Sequence, residues 1–168
     1  KITPAPVVAL PSLPIATSVK IQEEVVEEEP KTIVSVSYPT SLYISEFLPD
    51  PEGSDGEGEW IELYNDSQEV ADISGFFLDD GEAGSRPFEI PQGTKIGIKS
   101  FLVFSRLETK IALNNTADEA RLLYPDETIA AKVSYTDVKE GYSAAYEQKE
   151  GKLFWTNSPT PGKANILS

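Results

Sequence analysis

The chain has 168 residues, 39% apolar and 25% charged, which suits one folded domain with room for an appendage and excludes a wholly disordered polymer. Its 28 acids against 14 Lys plus Arg give a net charge of −14, a field that repels nucleic-acid phosphate and anionic lipid, so direct nucleic-acid binding is not expected. Neither Cys nor His is present, which excludes disulfides, thiolate chemistry, and the commonest metal ligand and general base.

No Met is present either, so a processed product or a fragment of a longer protein is expected. The longest early apolar run, Ala5–Leu10, meets Pro11 and Pro14 far short of the ~20 residues a membrane span needs. Neither a span nor an intact signal peptide is expected there. Residues 1–41 hold Pro4, Pro6, Pro11, Pro14, Pro30 and Pro39, no glycine, and the acidic stretch Glu23–Glu29. Such prolines interrupt helix and sheet alike, and the composition predicts an extended Pro/Glu-rich linker or stalk, reaching on the order of 120 Å at ~3.1 Å per residue. Thr32–Val36 is β-prone and forms the exception.

From residue 42 the chain becomes short β-prone runs separated by turn clusters, the pattern of an all-β sandwich or barrel rather than of βαβ units. Strands are predicted over Leu42–Leu48, Glu59–Asn65, Phe76–Asp79, Phe88–Ile90, Phe101–Ser105, Ala120–Tyr124, Ile129–Tyr135, Ser143–Tyr146 and Leu153–Trp155. Between them, Pro49–Gly58, Asp79–Pro87, Pro91–Lys99, Asn114–Asp118 and Pro125–Thr128 supply Gly, Pro, Asn and Asp for turns.

Two segments carry most of the information. In Glu59–Asn65, alternation places Ile61 and Leu63 on one face, toward a core, and Trp60, Glu62 and Tyr64 on the other, beneath a loop or strap. Glu62 reads as a carboxylate on a solvated sheet face or paired with Lys or Arg, with a ligand role as the alternative. Asn65 reads as the cap of its own turn, with a binding role as the alternative. In Trp155–Asn165, Pro159 and Pro161 stiffen the backbone, Gly162 permits a reversal, and Trp155 offers a large apolar area expected to be mostly buried. The segment predicts a strap over one end of the domain that shields an edge strand, against the alternative of a Pro-rich recognition ligand.

The acidic loops contain Asp50, Glu52, Asp55, Glu57 and Glu59, and a second group Asp79, Asp80 and Glu82. Calcium takes six to eight oxygens, but the spacing departs from an EF-hand loop. Solvated loops are the favoured reading, with weak calcium binding at Asp50, Glu52, Asp55, Glu57, Asp79, Asp80 and Glu82 as the alternative; no other cofactor is expected. Paired carboxylates also suit glycoside hydrolysis, yet no sugar cleft is legible. Serine and threonine lack a visible base, and no phosphate loop is present. No catalytic residue is assigned. Asn65–Asp66–Ser67 and Asn114–Asn115–Thr116 match the glycosylation sequon.

Taken in order, several motifs resemble the bacterial form of the lamin-tail domain. These are Tyr43–Phe47 leading through an acidic loop to Gly58–Asn65, then Val70–Leu78, Ile90–Ile96 before Phe101–Phe104, Leu113–Asn115 before Glu119–Leu123, and Ser158–Gly162 with Asn165. The resemblance covers about 42–166. It departs at Ile98–Lys99–Ser100, where the family more often has a Pro-Gly-like turn. Its structural signature falls here on Trp60, Glu62, Asn65, Gly75, Trp155, Pro161, Gly162 and Asn165.

The resemblance implies an immunoglobulin-like β-sandwich over 42–168, without enzymatic activity of its own. The function it implies is an interaction or structural module of a larger bacterial exported or cell-surface protein, meeting a protein or a cell-envelope component. A calcium-dependent adhesion module, or an accessory domain presenting substrate to an extracellular hydrolase, are the alternatives.

Overall fold

The computed structural model describes residues 37–82 and 84–166, all within the unit Val36–Ser168. Apart from 37–41, the expected linker lies outside the described residues, as does Thr32–Val36.

The first strand, β1 (Leu42–Leu48), carries a conflict that its geometry resolves. Ile44 and Phe47 are both buried, although strict alternation puts residues three apart on opposite faces. Its pairing register shifts between Ile44 and Glu46, leaving Ser45 as the extra residue of a β-bulge. The bulge lets Ile44 and Phe47 both enter the core and sets Glu46 opposite Glu62.

After β1 come the helical turn α1 (Asp55–Gly58), β2 (Trp60–Asn65), β3 (Ala71–Asp72), β4 (Phe77–Asp79), β5 (Phe88–Glu89) and β6 (Lys95–Ile96). Then follow β7 (Phe101–Ser105), the helical turn α2 (Arg106–Thr109), β8 (Ala117–Leu123), β9 (Ile129–Thr136), β10 (Ser143–Glu147) and β11 (Lys152–Thr156). All strand pairings are antiparallel. A five-stranded sheet runs β11-β10-β1-β2-β7, a four-stranded sheet runs β5-β4-β8-β9, and β3 and β6 form a separate ribbon.

The two larger sheets pack face to face as a sandwich. Leu42, Ile44, Phe47, Ile61, Leu63, Phe104 and Ala144 from one meet Leu78, Ala120, Leu122, Val133 and Tyr135 from the other. Rings bridge the gap: Phe47 lies 4.9 Å from Tyr135, and Phe88 lies 6.3 Å edge-on from Phe104. Each of the Leu, Ile, Val and Phe side chains taken from water stabilises the fold by about 1.5–3 kcal/mol before chain entropy is counted. Tyr38 also packs here, stacked on Tyr124 at 5.2 Å and edge-on to Phe76 at 5.7 Å, so packing contacts begin ahead of β1.

Each of the nine predicted strands has a counterpart; Leu42–Leu48 and Phe101–Ser105 match at both ends, and the other seven differ at one end or both. The strand predicted from Ala120 begins at Ala117, because Ala117–Glu119 pair with Thr136–Ser134. Sequence reading misses β3 and β6, whose two residues each contain no period, and the helical turns α1 and α2. Trp155 stands in β11, within the strand expected over Leu153–Trp155, and the rest of the strap follows it; as part of an outermost strand it packs against the core from one side, its ring meeting Tyr135 edge-on at 6.2 Å.

Phe47→Ala is expected to cost about 3–5 kcal/mol, and Trp155→Ala less than that, since on an outermost strand the site it leaves can collapse more readily. Urea denaturation measures both, and equal midpoint losses would show β11 packed as tightly as the core.

Candidate functional site

Glu46 and Glu62 are paired across β1 and β2, and each is 0% exposed. A carboxylate taken from water without a counter-charge is costly unless donors saturate its oxygens. Neither residue has a Lys or Arg partner among the described residues. Donors come instead from neighbouring strands and from the C-terminal segment. Glu46 accepts from the Ser143 hydroxyl at 2.5 Å, the Thr160 hydroxyl at 2.8 Å, and the Thr160 N–H at 3.0 and 3.2 Å. Glu62 accepts from the Ser45 hydroxyl and from the Gly162 N–H, each at 2.5 Å.

The strap is shaped for this contact. Thr160–Pro161–Gly162–Lys163 closes with a Lys163 N–H to Thr160 carbonyl bond of 3.0 Å, and Gly162 has φ +76°. Pro second and a positive-φ Gly third are the residues a type II turn requires. Asn165 then anchors the far end by donating to the Ser45 carbonyl at 2.8 Å. Two expectations are corrected. Glu62 is neither solvated nor paired with Lys or Arg, because the strap covers it and supplies a donor. The strap lies over the inner strands β1 and β2 rather than shielding an edge, because the carboxylates that hold it are there. Burial pushes the Glu62 carboxyl up to about 7; the Ser45 and Gly162 donors oppose the rise and Glu46 adds to it.

Asn65 ends β2 as a hub. Its side-chain amide donates to the carbonyls of Glu69, Gly97 and Ile96 at 2.7, 2.9 and 3.2 Å, and its Oδ1 accepts from the Ser67 N–H at 3.0 Å. It thus bonds its own turn and also ties that turn to the β6 end. Fully buried with its nitrogen engaged, Asn65 offers no surface acceptor for a glycan. Lys99, in the turn that departs from the family pattern, has φ +49° and donates to both the Asp66 carbonyl and its Oδ1. Gly75 has φ +74° and donates to the Ile90 carbonyl at 3.0 Å. On the outer face beside the strap, Tyr64 stacks on Phe101 at 4.5 Å and lies 6.4 Å from Tyr43; Trp60, also half-buried, pairs with Leu48 and Ser105.

The acidic residues do not converge. Asp50 and Asp55 both accept from the Asn115 side chain, at 2.9 and 3.2 Å, while Glu52 lies over Gly141 and Glu57 is exposed. Glu59 is buried, bonded to Arg106 at 2.5 Å and to the Leu113 N–H at 3.0 Å; burial outweighs these donors and pushes its carboxyl up to about 7. Asp80 holds the Ser85 N–H and hydroxyl at 2.6 and 2.7 Å, Asp79 pairs with Arg121, and Glu82 is exposed. No group of three acids is arranged to hold a metal ion among the described residues.

Asp79 and Glu82 instead border an open groove of about 910 Å³ along the four-stranded sheet, where Phe77, Leu123 and Ile129 give apolar surface beside Arg86, Lys110 and Arg121. Asp79 is 2% exposed; Arg121 satisfies its Oδ2, and its Oδ1 has no protein partner.

The Lamin Tail Domain family matches the chain over residues 35–137, a span running from ahead of β1 through β9. The chain belongs to the lamin tail domain family. Comparison with curated proteins finds no match. Within this lamin tail domain the matched span holds Glu46, Glu62 and Asn65, whereas β10, β11 and the strap lie beyond it. No helix among the described residues is long and apolar enough to cross a membrane.

Sequence reading overlooks Glu46, Ser45, Ser143 and Arg121. For Glu46 a signal exists: two core residues three apart in β1 demand a bulge, which turns Glu46 onto the face of Glu62. Arg121 opposite Asp79 is a cross-strand pair invisible until β4 and β8 are known to be neighbours. Arg121→Leu leaves a buried carboxylate unpaired and is expected to cost about 3–5 kcal/mol, while adding Asp79→Leu recovers most of the loss. Denaturation midpoints of the single and double variants check this; a double variant no better than the single would show that packing, not the charge, dominates.

Proposed function

We propose that this lamin tail domain is a noncatalytic interaction or structural module of a larger bacterial exported or cell-surface protein, meeting a protein or a cell-envelope component. The observation carrying this reading is the use made of its buried acids. Glu46, Glu59, Glu62, Asp79 and Asp80 all accept hydrogen bonds from within the domain, joining strands, strap and loops. Membership of an immunoglobulin-like family supports the same reading. The outward features are extended ones, an open groove of mixed apolar and charged lining and a net charge of −14, which favour a macromolecular partner carrying positive charge. The domain needs no metal in this role.

Two measurements test the proposal. Millimolar calcium is expected to leave the melting temperature nearly unchanged, whereas a specific site would stabilise by about 2.7 kcal/mol at a hundredfold excess over Kd. A rise of several degrees with calcium, absent with magnesium and lost in Asp50→Asn with Asp80→Asn, would replace this reading with calcium-dependent adhesion. On intact source cells, externally added protease is expected to release the domain; full protection would remove the surface assignment.

A further inference from the structure

The geometry points to a pH-dependent latch: the strap Thr160–Asn165 is held closed on the five-stranded sheet by the buried Glu46–Glu62 pair and loosens as pH rises. The strap reaches the sheet through three residues. Thr160 donates twice to Glu46, Gly162 donates to Glu62, and Asn165 donates to the Ser45 carbonyl within the bulge. Both carboxylates lie beneath it at 0% exposure, so lifting the strap returns them to water.

The surroundings of Glu62 contain little that would hold a charge. Its neighbour on β1 is Glu46, a second acid; its neighbour on β7 is Val103; and β10 contributes the uncharged Ser143, bonded to Glu46. The strap's one charged residue, Lys163, is exposed and makes no ion pair among the described residues. Tyr43 and Tyr64 lie further along the same outer face. A proton on Glu62 is readily accommodated. The Ser45 oxygen sits 2.5 Å from Glu62 Oε1 and 3.3 Å from the Glu62 carbonyl, so its hydroxyl can donate to the carboxylate, or accept from the carboxyl while donating to the carbonyl. The Gly162 N–H keeps its acceptor in either state.

The sign follows from linkage. Burial in the closed state raises the Glu62 carboxyl to about 7 from an ordinary 4.5, outweighing the opposing Ser45 and Gly162 donors, so the closed state binds the proton more tightly than one in which water reaches the carboxyl. The latch is therefore strongest below the ordinary value and weakens as pH climbs through 7. A gap of this size changes the closed-to-open ratio on the order of a hundredfold. A carboxylate held by a cation would show the opposite trend.

Amide exchange by NMR on the full chain tests this, with each rate corrected for its intrinsic pH dependence. Protection of the Thr160 and Gly162 amides is expected to fall by at least about tenfold between pH 5 and 8.5, and to flatten in Glu62→Gln, which keeps an acceptor for Gly162 and cannot titrate. A flat profile in the unaltered chain, or an unchanged slope in Glu62→Gln, overturns the latch. Should the variant fail to fold, carboxyl-carbon titration of Glu62 in the unaltered chain decides: a midpoint near 7 supports the latch and one near 4.5 rejects it.

Discussion

A carboxylate removed from water must be surrounded by donors, and the five-stranded sheet meets that requirement at two adjacent positions. Glu46 and Glu62 draw hydroxyls from β1 and β10 and backbone N–H groups from the strap. Removing any of these donors exposes the rest to an unsatisfied acid, so the elements are bound more tightly together than pairwise hydrogen bonds suggest. The bulge at Ser45 serves both sides of the sheet: it turns Phe47 into the core, Glu46 outward, and supplies the hydroxyl that Glu62 accepts.

The four-stranded sheet meets a related requirement differently. Asp79 is opposed by Arg121 on the neighbouring strand, and Arg121 also lies 3.9 Å from Glu119, which in turn bonds Lys132 at 2.8 Å. The ion pairs there run Asp79–Arg121–Glu119–Lys132, alternating in sign, and leave the outer face open. One face of the sandwich is thus closed by the chain itself and the other offers a groove. This asymmetry tracks charge: two adjacent acids draw donors from the strap, whereas Asp79 has its counter-charge on the neighbouring strand, with only its Oδ1 left unpartnered.

The sandwich was legible because its longer strands alternate. Ile61 and Leu63 face inward as their spacing requires, and Phe101–Ser105 begins and ends where its β-prone run does. The two-residue ribbon formed by Ala71–Asp72 and Lys95–Ile96 was not legible, since no period exists in two residues. The turn after Ser105 carried a signal that periodicity passes over: Ser105 followed by Glu108 is a capping pattern, and the Ser105 hydroxyl accepts from the Glu108 N–H at 3.3 Å. The fate of Glu62 was illegible for a different reason. Its donor Gly162 stands 100 residues away, and no local pattern specifies which surface a distant turn will cover.

That distance has a consequence for how the domain is made. β1 lies between β2 and β10, and the Ser143 hydroxyl that reaches Glu46 stands 97 residues further along the chain. During synthesis β2 can pair with one edge of β1 at once, while the other edge waits for β10 to emerge, and both acids remain without their final donors until the strap follows. Pairings of such long range slow folding, and an unpaired edge beside apolar surface invites association between nascent chains. Two unsatisfied acids on that sheet keep it hydrated and mutually repellent in the interval. The same side chains that fasten the finished domain act as gatekeepers for the unfinished one.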